Sequence, residues 1–442
     1  CCILTMSSIK SERTVADLKN SEFLDVLHSE IEASTGCTDP GSISLAVANA
    51  VTALGREPQK ILVTVSPNIY KNAVSVGIPG TFKSGMELAA ALGALINAPE
   101  KGLSILSGTT DKLITQAEEE VAKGHIKVTY GESPNPLYVK AQVFSDEDVA
   151  EAVIADDYSK VIEVTKNGVY IKKAEVLSRE EEHYPLLRYK VKELYNLILS
   201  ADVSDFDFLI DYARKNLDAA QKDIDCPGMC MGRLMKERLP DKHNDLFDVV
   251  NYAQMNTAAA GEARMKGMNV TIMAIAGSGN HGITNFLGVL SVAESLGCTR
   301  EQTARALAIS SMITIYIKGY VKRMTAFCGC GVAAATGVAA ATVYLLGGDF
   351  EKSVDAMQSV IGTIGGMFCD GAKESCSYKL SIATSTAIQF AYLAMEGCHI
   401  PKRVGIIGPT IEKTFENMGR LNNPGMVETD KVLVSIVQAN KN

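Results

Sequence analysis

The chain has 442 residues, with 43 Lys plus Arg against 51 Asp plus Glu and a formal charge of -8. That acidic balance provides no basic field for phosphates and argues against nucleic acid as the main ligand. A hydrophobic share of 47% with only 13 Pro argues against disorder, and the length allows two or three domains with large cores.

In chain order, the first five residues precede Met6 and a polar stretch over 7–12, without an apolar core of signal-peptide length, so a cytoplasmic protein is expected. Residues 21–54 read as two helices separated by Gly36-Cys37-Thr38-Asp39-Pro40, with Asp39 capping the second and Pro40 starting it. From Lys60 the pattern changes to β-rich runs at 61–65, 73–78, 126–130, 137–144, 161–165 and 169–172. Helical segments at 85–96 and 110–123 fall between them. Beyond about Ser178 strands nearly vanish, and a boundary is expected near residue 180, in the charged run Arg179-Glu180-Glu181-Glu182.

The fold class expected is therefore α+β. Residues 1–180 hold N-terminal helices and an α/β domain with a mixed sheet, the helices of 21–54 packing on the second domain. Residues 181–442 form a large Gly- and Ala-rich all-helical catalytic domain. Two stretches, 268–293 and 324–348, lack acidic and basic residues over about a membrane span, apart from His281. Their small residues and the low mean hydropathy of +0.08 favour buried, closely packed helices over a transporter.

The helical pattern is interrupted at 277–282, 328–331 and 365–371, and breaks inside a protein leave backbone N–H groups that a ligand can satisfy. Gly277-Ser278-Gly279-Asn280-His281-Gly282 has the form of a dinucleotide loop, but no second parallel strand with an acidic end follows it. His281 sits in that Gly-flanked turn, where an imidazole suits proton transfer.

The 11 cysteines divide by surroundings. Cys1, Cys2, Cys298 and Cys398 have no companion pattern, and Cys226 with Cys230 lacks a second pair of zinc spacing. Cys37, Cys328, Cys330, Cys369 and Cys376 lie mostly at Gly-rich turns. Cys37 precedes a helix start, where N–H dipoles favour thiolate. Thiolates with backbone N–H groups aimed at sulfur suit an iron-sulfur cluster, although ferredoxin-type Cys-x-x-Cys runs are absent.

Gly36-Cys37-Thr38-Asp39-Pro40, the 277–282 turn, Cys328-Gly329-Cys330-Gly331 and Cys369-Asp370-Gly371-Ala372-Lys373 together resemble the serine dehydratase alpha-chain superfamily over nearly the whole chain. Within it they resemble the iron-sulfur L-cysteine desulfidase group. That resemblance implies a 4Fe-4S cluster held by three cysteines, with one iron left open. The ligands carried over are Cys37, Cys369 and one thiol of the Cys328/Cys330 pair. Cys328 is preferred for its separation from Cys369 (369 minus 328, or 41), with Cys330 as the alternative. Serine dehydratases carry a further cysteine after the Cys-Asp pair, and Cys376 stands in that region.

The activity implied is α,β-elimination of L-cysteine to sulfide and aminoacrylate, which hydrolyses to pyruvate and ammonia, without pyridoxal phosphate. Alternatives are an L-serine dehydratase of the same cluster type and a non-catalytic, cluster-containing amino-acid sensor. His281 is the first candidate for the base and Lys373 the second. Ser278 and Asn280 would orient the substrate, and polar loops at strand ends add Asn72 and Thr81. The expected partner is a small amino acid, with no nucleic acid and no membrane, and a homodimer on base rates.

Overall fold

The structure is a computed structural model that describes residues 15–131, 133, 135–174, 184–224, 229–240, 245–322 and 324–440. Cys1, Cys2, Cys226 and the boundary expected near residue 180 lie outside the described residues. The fold is α+β, with a six-stranded mixed sheet in the N-terminal region and a helical C-terminal part.

The strands are β1 (Ile31–Thr35), β2 (Lys60–Val65), β3 (Gly77–Ile78), β4 (Lys83–Ser84), β5 (Ile126–Tyr130), β6 (Tyr138–Ser145), β7 (Asp148–Ala155), β8 (Val161–Lys166), β9 (Val169–Lys173) and β10 (Thr271–Ile275). The main sheet runs β5-β2-β6-β7-β8-β9; β2 and β5 are parallel and the other neighbours antiparallel. Alternation along β6 buries Val139, Ala141 and Val143 on one face, against the helices Thr38–Leu54 and Met86–Ile96. Ile43, Leu45, Val47, Val51 and Leu54 of the first helix are buried there, each contributing roughly 1.5–3 kcal/mol.

That placement corrects the expectation for residues 21–54. The helix Val15–Glu30 sends Phe23, Val26 and Leu27 into the core of the helical part, but Thr38–Leu54 packs on the sheet. The reason lies between them: Ile31 to Thr35, read as helix, is β1, and it lets the chain cross from one core to the other. Of residues 73–78, read as strand, only Gly77 and Ile78 form one, β3, while Ala73 ends a helix and 74–76 are irregular. Ser66 caps the helix Pro67–Ala73 by accepting from the Ile69 N–H at 3.4 Å, and Pro67 occupies its first turn. Those start signals set a helix just ahead of the β-rich run and shorten the strand that follows.

The helical part is built around Leu246–Met265, Arg300–Val321, Ala335–Leu345, Phe350–Ile364 and Cys376–Met395. Small residues allow its axes to approach: Gly261 lies against Leu380 and Ser377, and Gly337 against Ser310. No helix among the described residues is long and apolar enough to cross a membrane. The part is not all-helical, because β10 pairs antiparallel with β1, Ile31 opposite Ile275. This two-stranded pairing also removes the dinucleotide reading of the following turn, which needs a parallel sheet.

Fully buried Asn216, on the helix Asp207–Ile224, acts as a third partner for β10. Its Nδ2 donates to the Met273 carbonyl at 3.2 Å, and its Oδ1 accepts from the Met273 N–H at 2.7 Å. Asn216→Ala leaves both backbone groups buried and unpaired, and is expected to lower unfolding free energy by about 2–4 kcal/mol in denaturant titration.

Candidate active site

Four interruptions of regular structure meet around one cavity: the turn into the helix Thr38–Leu54, the glycine turn after β10, and the turns at Cys328 and Cys369. Its volume is about 120 Å³, against roughly 10–15 Å³ for one water, so the space suits a small molecule or an inorganic group. Cys37, Cys328, Cys330, Cys369 and Cys376 all line it.

The backbone explains the convergence. The Cys328 N–H donates to the Met367 carbonyl at 2.6 Å and the Cys369 N–H to the Ala326 carbonyl at 2.8 Å, a two-residue antiparallel bridge pairing Phe327 with Phe368. Cys330 opens the helical segment leading into Ala335–Leu345, with the Gly331 and Val332 N–H groups returning to the Cys328 carbonyl at 3.1 and 3.0 Å. Cys376 starts the helix Cys376–Met395.

Gly36, in the left-handed region at φ 65°, places Cys37 at the cap of its helix. Cys37, not Asp39, holds the cap position, and Asp39 falls in the first turn. The helix start does not make Cys37 a thiolate. Burial and then the adjacent Asp39 carboxylate push its pKa up to about 12, against the weaker pull of Arg264 and the Asp39 N–H. Its Sγ donates to Asp39 Oδ2 at 3.3 Å, and Asn72 Nδ2 donates to Oδ1 at 3.4 Å. Burial raises the Asp39 carboxyl to about 6.

The other thiols differ by hydrogen bonding. Cys330 donates to Cys328, which with the Gly331 N–H and Lys379 holds the Cys328 thiol down to about 6. The same bond and burial push Cys330 up. Burial raises Cys369, and burial together with Cys328 raises Cys376 to about 11.

His281 is 4% exposed and lines the cavity. Its Nδ1 stands 3.2 Å from the Ile275 carbonyl, which can only accept, so Nδ1 carries the proton of the neutral ring and Nε2 keeps its lone pair. Gly329 is required opposite: a Cβ there would collide with His281 Nε2. Burial, then Lys318 and Arg264, lower the His281 pKa to about 3, so the imidazole is neutral rather than poised near 7 as its turn suggested.

Ser278, Asn280 and Asn72 also line the cavity. Two expected residues do not. Thr81 is spent in the turn between β3 and β4, where its hydroxyl bonds the Ile78 and Lys83 carbonyls at 2.8 and 3.2 Å. Lys373 lies beside the cavity, its ammonium held by Asp370 Oδ1 at 2.6 Å. Lys379 takes the lining position instead, 2.5 Å from the same carboxylate. Lys71, Tyr158, Arg264 and Lys318 were not singled out from sequence. Lys71 sits in the polar segment 66–72, expected as a loop and folded as the helix Pro67–Ala73, and could have been; Arg264 and Lys318 lie within longer helices, where only a buried charge would have marked them.

Among the described residues no three His, Cys, Asp or Glu side chains close on one point as ligands of a single metal ion do. The thiols are instead distributed around the cavity wall.

A profile of the serine dehydratase alpha chain matches residues 100–435. Relatives called UPF0597 protein are similar to this chain over nearly their whole length. The protein of Methanocella arvoryzae is 47% identical over 414 residues, 94% of this chain and 97% of its own. Those of Oleidesulfovibrio alaskensis and Caldanaerobacter subterraneus are 35% and 33% identical, over 95% and 93% of this chain and 98% and 97% of theirs.

Of the five cavity thiols, only Cys328 is held down, to about 6, and burial raises Cys37, Cys369 and Cys376 while Cys330 is raised by its bond to Cys328 and by burial. In protein without added iron at pH 7, iodoacetamide followed by peptide mass mapping is expected to modify Cys328 first among the cavity thiols.

Proposed function

The chain belongs to the serine dehydratase alpha-chain family, and we propose that it is an iron-sulfur-dependent L-cysteine desulfidase. The reaction is α,β-elimination of L-cysteine to sulfide and aminoacrylate, which hydrolyses to pyruvate and ammonia. The observation that carries this reading is the gathering of five thiols from distant segments around one cavity that also holds an imidazole with a free lone pair.

The donor set fits a 4Fe-4S cluster. Thiols are the soft ligands such a cluster takes, and each iron binds its own sulfur, so a distributed arrangement suits it better than a lone ion. Cys37, Cys369 and Cys328 would hold it, with Cys330 as the alternative to Cys328. When bound, the group supplies a Lewis-acidic iron with an open position for the substrate.

The protein's own residues do the rest. Lys71, Arg264, Lys318 and Lys379 bring positive charge to the wall, offsetting thiolates that burial disfavours. His281 Nε2 is the base we assign to the Cα proton, since Ile275 fixes its tautomer and Gly329 leaves it room. Asn280 and Ser278, one on each side of Gly279, orient the amino acid, and Asn72 holds the Asp39 carboxylate. Walls of Phe327, Met324, Leu380 and Tyr158 limit the water that reaches the site.

Protein isolated anaerobically is expected to be brown, with iron and acid-labile sulfide near four of each per chain. Cys37→Ser and Cys369→Ser should lose the colour, and whichever of Cys328→Ser and Cys330→Ser keeps it identifies the non-ligand. A colourless, iron-free protein that still releases pyruvate would reject the cluster.

His281→Ala is expected to keep iron while turnover falls about 10²–10⁴-fold, the usual range for a general base. Comparing kcat/KM for L-cysteine, L-serine and L-threonine on loaded enzyme tests the substrate; a preference for L-serine would make the chain a serine dehydratase of the same type.

A further inference from the structure

The cavity cations are not equivalent. Lys71 is paired with Asp430 and Lys379 with Asp370. Arg264, 3% exposed, makes its hydrogen bonds to neutral acceptors, Nε donating to the Gly36 carbonyl at 3.1 Å and Nη1 to Asn280 Oδ1 at 3.0 Å, while the Asp39 carboxylate acts on it through charge alone, without a hydrogen bond. Among the described residues its Nη2 makes no hydrogen bond. Asp39 offsets part of the charge, but a buried guanidinium fixed on two sides still presents an edge of N–H donors that an incoming anion can satisfy.

Its rigidity is built in. A Cβ on Gly279 would collide with Arg264 Nε, so the side chain lies flat on the glycine turn. It thereby spans the Cys37 turn and the Asn280-His281 turn, between a proposed ligand and the proposed base. A planar fork with a free edge is the form that binds carboxylate.

We infer that Arg264 binds the α-carboxylate of the substrate and so restricts the cavity to free α-amino acids. The inference rests on the amino-acid lyase reading above and adds the residue that recognises the acid end. Because it touches the carboxylate before and during elimination alike, its loss should act mainly on KM.

Wild type, Arg264→Lys and Arg264→Gln, each loaded anaerobically, are compared in three ways: iron and sulfide content, KM and kcat for L-cysteine and L-serine, and calorimetric binding of 3-mercaptopropionate and cysteamine. The two probes carry the same thiol and differ in the charged end. The expected result is unchanged iron, 3-mercaptopropionate binding and KM weakened about tenfold or more in Arg264→Gln and less in Arg264→Lys, and cysteamine binding unchanged.

Unchanged affinity for 3-mercaptopropionate, or equal losses for both probes, overturns the assignment. So does loss of iron from both variants, which would make Arg264 a strut for the Cys37 turn. Wild type that binds 3-mercaptopropionate through Arg264 yet turns over neither amino acid would remove the lyase reading and leave the carboxylate assignment standing.

Discussion

The exchange of two backbone hydrogen bonds between the Cys328 and Cys369 turns is the constraint on which the site depends. Helices that stop inside a protein leave amides and carbonyls without partners, and leaving such a group unpaired costs roughly 1–3 kcal/mol. Here two such stops satisfy one another. Asn422 completes the arrangement, accepting from the Ala326 N–H at 3.1 Å and donating to the Val321 carbonyl at 3.0 Å. Once those turns are joined, Gly329 admits His281, while Arg264 ties the glycine turn to the Cys37 turn. Sites assembled from mutually satisfied backbone hold their side chains more firmly than loops do.

Electrostatics sets the second condition. Removing a thiol from water disfavours its ionised form, and Cys37 and Cys376 show the consequence with values near 12 and 11. A cavity meant to present thiolates therefore needs compensation, and the four cations at its wall provide it. Cys328 escapes the general trend because Cys330 and the Gly331 amide donate to it. Were the proposed cluster bound, Cys328 would need the least further stabilisation of its thiolate and the other thiols would have to give up protons.

Much of this was legible in residues. Alternation located β2, β5, β6, β8 and β9, and turn signals located the helices Met86–Ile96 and Asp111–Ala122, because those elements follow local rules. The glycines and cysteines of the four breaks were visible for the same reason: Gly in an apolar helical pattern is a local anomaly. What escaped was set by tertiary partners. β1 reads as a continuation of its helix until β10 is placed beside it, and Thr38–Leu54 is apolar on too many sides to announce which core it joins. Arg264 and Lys318 have ordinary helical neighbours in sequence, and only burial reveals them. Lys373 is displayed beside a cysteine in the Cys-Asp-Gly-Ala-Lys run, and only the folded chain shows its ammonium paired with Asp370 beside the cavity.

The helix Val427–Ala439 sends Val434 into the core of the main sheet and Asp430 to Lys71, which stands 359 positions earlier. An emerging polypeptide cannot make that ion pair until the helix has left the ribosome. The pocket wall around Lys71 is therefore finished only once Asp430 has emerged, long after Cys37, Cys328 and Cys369 have been made.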